Sequence, residues 1–327
     1  MANYIAFNLE GTLTPDDSAR GLLALIPDGD RILEVLSRYE SLLLAENREG
    51  YESGDVFALT APFLVLHNIS ESDIGGVAGK ARFVSGATDL VSKLEYAVWK
   101  IFCLTATYEQ YATHVTHKLG IYAQRVACTR FAVNRLEVAL SKNESELLKQ
   151  LESETLALYR LADDQRVRQR LDYFYRERLP STDIGRLLAE VKPIGGRRKL
   201  AAIAVFADQN SQPLSRWVAV GSGIADARML RSVEQSGGLA IALNAESDLL
   251  AAATVGLAST NIYDLMDLLQ VWATGQRKAV EKFVKEREKT GGKGNRGYFH
   301  WLPGRQDLRP AIVVHERMRG MVREGTA

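Results

Sequence analysis

Residues 4–9, Tyr-Ile-Ala-Phe-Asn-Leu, form a short apolar run with little polar alternation, the pattern of a strand buried on both faces of a parallel sheet. It stops abruptly at Glu10-Gly11-Thr12. Three later runs share this character: residues 98–104, residues 217–220 and residues 238–243. Each gives way to polar or small residues, and most then lead into a helix-like segment. Repeated strand, loop and helix units predict right-handed crossovers and a doubly wound sheet, whose ligands bind beyond the carboxyl ends of the strands.

Helical spacing fills the intervals. Ile32-Leu33, Val35-Leu36 and Leu42-Leu43-Leu44 recur at helical distances, residues 57–66 make a second such stretch, and residues 87–97 read as a helix leading into the second strand. Residues 134–161 and 165–178 carry Leu and Tyr at helical intervals among many charges, and Pro180 with the Pro193-Ile-Gly-Gly196 turn closes that stretch. The expected organisation is a core from residues 1–19, 87–121 and 196–262, a helical cap at 20–86, a second helical insertion at 122–195, and a C-terminal extension at 263–327. That extension opens with an amphipathic helix containing Leu265, Leu268, Leu269, Val271 and Trp272. A charged run, the glycine-rich stretch 290–297 and the cluster Tyr298-Phe299-His300-Trp301 follow.

Composition narrows the function classes. The chain has 327 residues, 46% of them hydrophobic, enough for a large core. Its 41 Lys+Arg against 40 Asp+Glu argue against a dedicated nucleic-acid binder. Residues 278–309 hold nine Lys or Arg and four Asp or Glu, read mainly as a solvated helix face and loop. A phosphate- or nucleic-acid-binding edge is the sharper reading there, but Gly-Lys-Gly lacks the spacing and Ser/Thr of a P-loop. Cys103 and Cys128 are too few for a disulfide framework or a four-Cys zinc site. No apolar stretch reaches the ~18 residues of a membrane span, and the first residues lack a basic region followed by an apolar one, so a cytoplasmic protein is expected.

Four stretches fall where a doubly wound sheet places its active-site loops: Phe7-Asn8-Leu9-Glu10-Gly11-Thr12, Thr105-Ala106-Thr107-Tyr108-Glu109, Gly195-Gly-Arg-Arg-Lys199, and Gly221-Ser222-Gly223-Ile224-Ala225-Asp226. In order and position they resemble the four motifs of the haloacid dehalogenase (HAD) superfamily of phosphohydrolases. Ile26-Pro27, Ser37-Arg38-Tyr39, Arg48-Glu49-Gly50-Tyr51-Glu52, Ala61-Pro62-Phe63-Leu64 and Ser236-Gly237-Gly238-Leu239-Ala240 extend the resemblance to an archaeal group of predicted phosphatases known as energy-converting hydrogenase A subunit R. It spans about residues 4–262 and implies a HAD-like three-layer α/β core with a helical cap.

The resemblance also assigns roles. An aspartate nucleophile would stand at Asn8 and an acid/base at Glu10. Thr105 would hold a phosphoryl oxygen and Lys199 would balance its charge, while Ser222 and Asp226 stand where two acids hold magnesium. Asn8 has no carboxylate to phosphorylate, and Ser222 removes a second acid. The usual four carboxylates and one lysine carry a formal −3; Glu10, Asp226 and Lys199 leave −1, so weakened magnesium binding is expected. Tyr108, Glu109, Arg48 and Tyr51 are candidate substrate- or cap-contacting residues.

Each assignment competes with a plainer one. Asn8 and Glu10 could cap the loop after the strand, although a carboxylate beyond a buried strand is costly unless used. Thr105 could be a helix N-cap, Lys199 a surface residue, and Asp226 a first-turn carboxylate. His114 and His117 lie three apart with no third metal ligand. Three functions stay open: binding of an anionic small molecule without a phosphoenzyme, a repurposed enzyme using Glu10, or assembly with a protein partner or second copy through the C-terminal extension.

Overall fold

Strands that are apolar throughout need cover on both faces, and the computed structural model, which describes residues 3–290 and 297–325, places seven strands in one sheet. They are β1 (Asn3–Phe7), β2 (Trp99–Tyr108), β3 (Val126–Thr129), β4 (Trp217–Gly221), β5 (Leu239–Leu243), β6 (Val255–Ala258) and β7 (Tyr298–Trp301). The order is β3-β2-β1-β4-β5-β6-β7, parallel except for the last pairing. β1 is central, with Phe7 registered against Cys103 on one side and Val220 on the other.

Alternation along the strands divides the core. Ile5, Phe7, Cys103, Val218, Val220 and Ile241 bury on one face, and Tyr4, Ala6, Phe102, Trp217 and Ala219 on the other. Between β1 and β2 run α1 (Ser18–Leu23), α2 (Gly29–Ala45), α3 (Val56–Leu66), α4 (Glu71–Gly79) and α5 (Ala87–Tyr96). Helix α2 buries Ile32, Leu33, Val35, Leu36, Tyr39 and Leu43, the stripe its spacing predicts. α6 (Glu109–Lys118) follows β2.

Between β3 and β4 lie α7 (Val133–Ala139), α8 (Lys142–Leu158), α9 (Asp164–Asp172), α10 (Asp183–Leu188) and α11 (Gly196–Gln209). The helical periodicity over 134–161 is interrupted at Ser141, which caps α8 in a reciprocal box with Glu144. α12 (Ala227–Gln235) follows β4, α13 (Ser247–Leu250) follows β5, and α14 (Leu265–Thr290), kinked at Gln276, separates β6 from β7. α15 (Arg309–Glu324) covers the face opposite α14, with Ala311 in the second core and His315 at 0% exposure.

Three strands depart from the sequence reading. Val126–Thr129, inside the segment expected to be helical, pairs with β2 at the sheet edge. Val255–Ala258 and Tyr298–Trp301 extend the other edge. The aromatic cluster is therefore a strand of the sheet, with Phe299 at 4% and Trp301 at 9% exposure. Phe299 and Trp301 are covered by the chain itself, and Tyr298 and His300 are half-buried. Residues 291–296 of the glycine-rich stretch lie outside the described residues.

No helix among the described residues is long and apolar enough to cross a membrane.

Candidate functional site

The chain leaves β1 through a tight turn. Gly11, at φ +70, makes it possible, and the N–H groups of Thr12, Leu13 and Thr14 all donate to the Leu9 carbonyl. Asn8 N–H continues the sheet to Val220 O at 2.9 Å, and Ser222 Oγ donates to Glu10 O at 3.2 Å. The loops after β1 and β4 are thus fastened together. In the second loop Asp226 folds back over Gly221, where a Cβ would lie 2.6 Å from its carboxyl group. Asp226 Oδ2 accepts from the N–H groups of Ser222 (2.9 Å) and Gly223 (3.2 Å).

Lys199 enters from the first turn of α11 and is 1% exposed. Its Nζ donates to Asp226 Oδ1 at 2.6 Å and to Asn8 Oδ1 at 3.1 Å. Asn8 Nδ2 donates to Glu10 O at 2.7 Å, which fixes the amide's orientation. Glu10 Oε1 accepts from Ser18 N–H at 2.7 Å. Desolvation, with Asp17 adding, pushes the Glu10 carboxyl up to about 7 against the opposing pull of Ser18 and Lys199. Desolvation likewise raises Glu40 to about 7, although it accepts from Gly54 N–H at 3.0 Å.

These groups line a cleft of about 710 Å³ between sheet and cap. Asn8, Glu10, Lys199, Ser222 and Asp226 all reach it; Glu40, Ser53 and Phe57 enter from the cap side. Glu246 follows β5, and Arg319 and Arg323 come from α15. Sequence reading missed these last three and Glu40, because nothing in their spacing relates them to the four motif stretches.

Thr105 is not a helix cap. β2 continues through it to Tyr108, so Thr105 is a fully buried strand residue whose Oγ1 accepts from Thr107 N–H at 3.3 Å; Ala106 is the β2 residue that meets the cleft. Tyr108 OH bonds Thr60 Oγ1 at 2.9 Å and the Phe57 carbonyl, both on α3, joining sheet to cap. Glu109 accepts from Phe131 N–H at 3.2 Å. Arg48 and Tyr51 line a separate cavity.

The cap is clamped where residues 52–55 meet the start of α11. Glu52 pairs with Arg197 and Arg228, and Asp55 with Arg198. Gly195 permits this approach, since a Cβ there would meet Ser53 O at 2.0 Å.

Magnesium requires several oxygen ligands arranged octahedrally. Here Asp226 already uses both carboxylate oxygens, Asn8 Oδ1 faces Lys199, and Ser222 Oγ is donated to Glu10 O. No group of three or more His, Cys, Asp or Glu among the described residues is arranged to hold a metal. Glu10 and Asp226 are the two motif carboxylates that could hold the ion, and Asp226 already shares its charge with Lys199. His114 and His117 both lie exposed on α6.

No family model and no curated protein matches the chain. A solved structure of gene product AF1437 from Archaeoglobus fulgidus matches at 21% identity and TM-score 0.85, over 99% of this chain and 97% of that one, which establishes a common fold. A substrate-bound phosphoserine phosphatase complex aligns at 14% identity and TM-score 0.47 over 82% and 98% of the two chains. A HAD family hydrolase from Salmonella enterica serovar Typhi aligns at 10% identity and TM-score 0.48 over 75% and 64%.

Proposed function

We propose that the cleft binds a phosphorylated or otherwise anionic small molecule and does so without forming a phosphoenzyme. The observation that carries this reading is the position of Lys199 Nζ, buried and shared between Asn8 Oδ1 and Asp226 Oδ1. An amide replaces the nucleophile that the HAD resemblance implies, and the ammonium lies between two positions whose acids would otherwise hold a cation. One of its three N–H donors remains for a ligand oxygen. Arg319 and Arg323 add positive charge to the same cleft. Magnesium binding is correspondingly weak or lost. Calorimetry with sulfate should give saturable binding that needs no magnesium and is lost in Arg319→Glu/Arg323→Glu. Magnesium-dependent hydrolysis of p-nitrophenyl phosphate through a trapped phosphoenzyme would sink the proposal.

Glu10 supports a second reading. A carboxyl raised to about 7 in a cleft is poised to donate or accept a proton at neutral pH. A repurposed enzyme would then use Glu10 as acid/base while Lys199 holds the anion. Turnover surviving Asn8→Ala but not Glu10→Gln would favour catalysis; turnover surviving Glu10→Gln would reject it.

A further inference from the structure

Arg48 and Tyr51 do not reach the motif cleft. They line a second cavity of about 490 Å³, enclosed by α2, α3 and the segment running from the end of α9 past α10. Tyr51 and Glu40 stand at the partition: Tyr51 faces this cavity, whereas Glu40 lines the cleft and holds Gly54 N–H. The two spaces share no lining residue.

The second cavity has an aromatic wall. The rings of Tyr39 and Tyr175 stack at 6.1 Å between centroids and 22° between planes. Their hydroxyls are already committed, Tyr39 to Asp172 Oδ1 and Tyr175 to Leu59 O, each at 2.6 Å. Tyr39, 1% exposed, backs the wall, and the half-buried Tyr175 ring offers the apolar surface that Pro62, Leu188 and Val191 continue. Around this wall the cations divide into two kinds. Arg48 and Arg198 are paired with Asp172 and Asp55. Arg176 and Lys192 are exposed, and neither makes an ion pair among the described residues. Residues 173–178 form a π-helical turn, a widening frequent at functional sites, and Tyr175 and Arg176 both line the cavity.

An apolar concavity of this size with a few charged groups in its lining has the general form of a small-molecule site. We propose that it is a second binding site, distinct from the motif cleft, for a small molecule with a flat apolar body and a single anionic group, the body lying against Tyr175, which Tyr39 backs, and the anion meeting Arg176 and Lys192.

The test uses the full chain and anilinonaphthalenesulfonate, which has this combination of parts, in a fluorescence titration with and without excess sulfate. One saturable site that excess sulfate weakens but does not abolish is expected. Ala58→Trp, which fills the cavity from α3, should abolish binding. Arg176→Glu/Lys192→Glu, confined to exposed positions, should weaken it at least tenfold while the thermal midpoint stays unchanged. No binding, full competition by sulfate, or binding indifferent to the charge reversal would each overturn the proposal. The charge-reversal variant decides the matter alone if Ala58→Trp does not fold.

Discussion

Lys199 Nζ donates to Asp226 Oδ1 at 2.6 Å with each side chain 1% exposed. Charges so far from water stay only as a pair, because desolvating either alone costs more than its remaining hydrogen bonds return. Lys199→Met should therefore lower unfolding free energy by about 3–5 kcal/mol in urea denaturation. Replacing both, as Lys199→Met/Asp226→Leu, should recover part of that loss. A double variant as unstable as the sum of the single ones would show that the two groups are not coupled.

Glu10 should leave a pH signature. Its carboxyl is raised from 4.5 to about 7, so the folded chain holds this proton more tightly than the unfolded one. The resulting stability is fully present below the unfolded value and is lost as pH rises through about 7. Glu40, raised to about 7 as well, acts in the same direction. Each group can steepen the decline by at most ~1.4 kcal/mol per pH unit. Glu10→Gln should flatten the profile between mildly acid and mildly alkaline solution, with the Glu40 part remaining. Sulfate affinity should fall over the same range in the wild type and become less pH-dependent in the variant.

Gly195 controls how closely the cap approaches the core. A Cβ there would lie 2.0 Å from Ser53 O, a backbone atom that can yield only if the clamp shifts. Gly195→Ala should cost about 1–3 kcal/mol, the range for forcing extra volume into a packed contact. Hydrogen exchange should quicken around residues 52–55 while the central strands stay protected. Equal protection in both proteins would mean that the cap does not depend on this contact.

The C-terminal strand completes the sheet: Phe299 pairs in register with Leu257, and Trp301 with Val255. Removing residues 297–325 would bare the β6 edge and uncover the face on which α15 lies. Such a truncation should be less stable and prone to associate, as light scattering and thermal melts would record. Unchanged stability with lost association to another chain would instead favour a docking role.

The strands most legible in the sequence are those covered on both faces, since β1, β4 and β5 present unbroken apolar runs. β3 escaped notice because it has four residues, three of them only half-buried. β7 carries period-two alternation in burial, but Tyr, Phe, His and Trp in succession read more readily as an aromatic cluster than as an edge strand. Thr105 reads as a loop residue because the apolar run stops at Leu104, and only the continuation of β2 to Tyr108 places it in the strand. In the site, Asn8, Glu10, Ser222 and Asp226 are legible because each follows an apolar run at short range. Arg319 is brought to the cleft by a helix more than three hundred residues along the chain, a meeting that no local pattern encodes.

The charge balance of the cleft can be reversed by design. Asn8 and Ser222 are the two neutral groups beside Lys199 and Asp226, and both line the cleft. Asn8→Asp/Ser222→Asp places two carboxylates there. With Glu10 and Asp226 they would outnumber Lys199 and supply the hard oxygen donors that magnesium takes. The double variant without metal should be less stable than the wild type, because like charges are then confined together. Adding magnesium should raise its thermal midpoint, by an amount corresponding to ~2.7 kcal/mol at a hundredfold excess over the dissociation constant. The wild type should show no such shift. Equal stabilisation of both proteins by magnesium would mean that Lys199 does not hold the place of a cation, and the metal-free reading of the cleft would have to be abandoned.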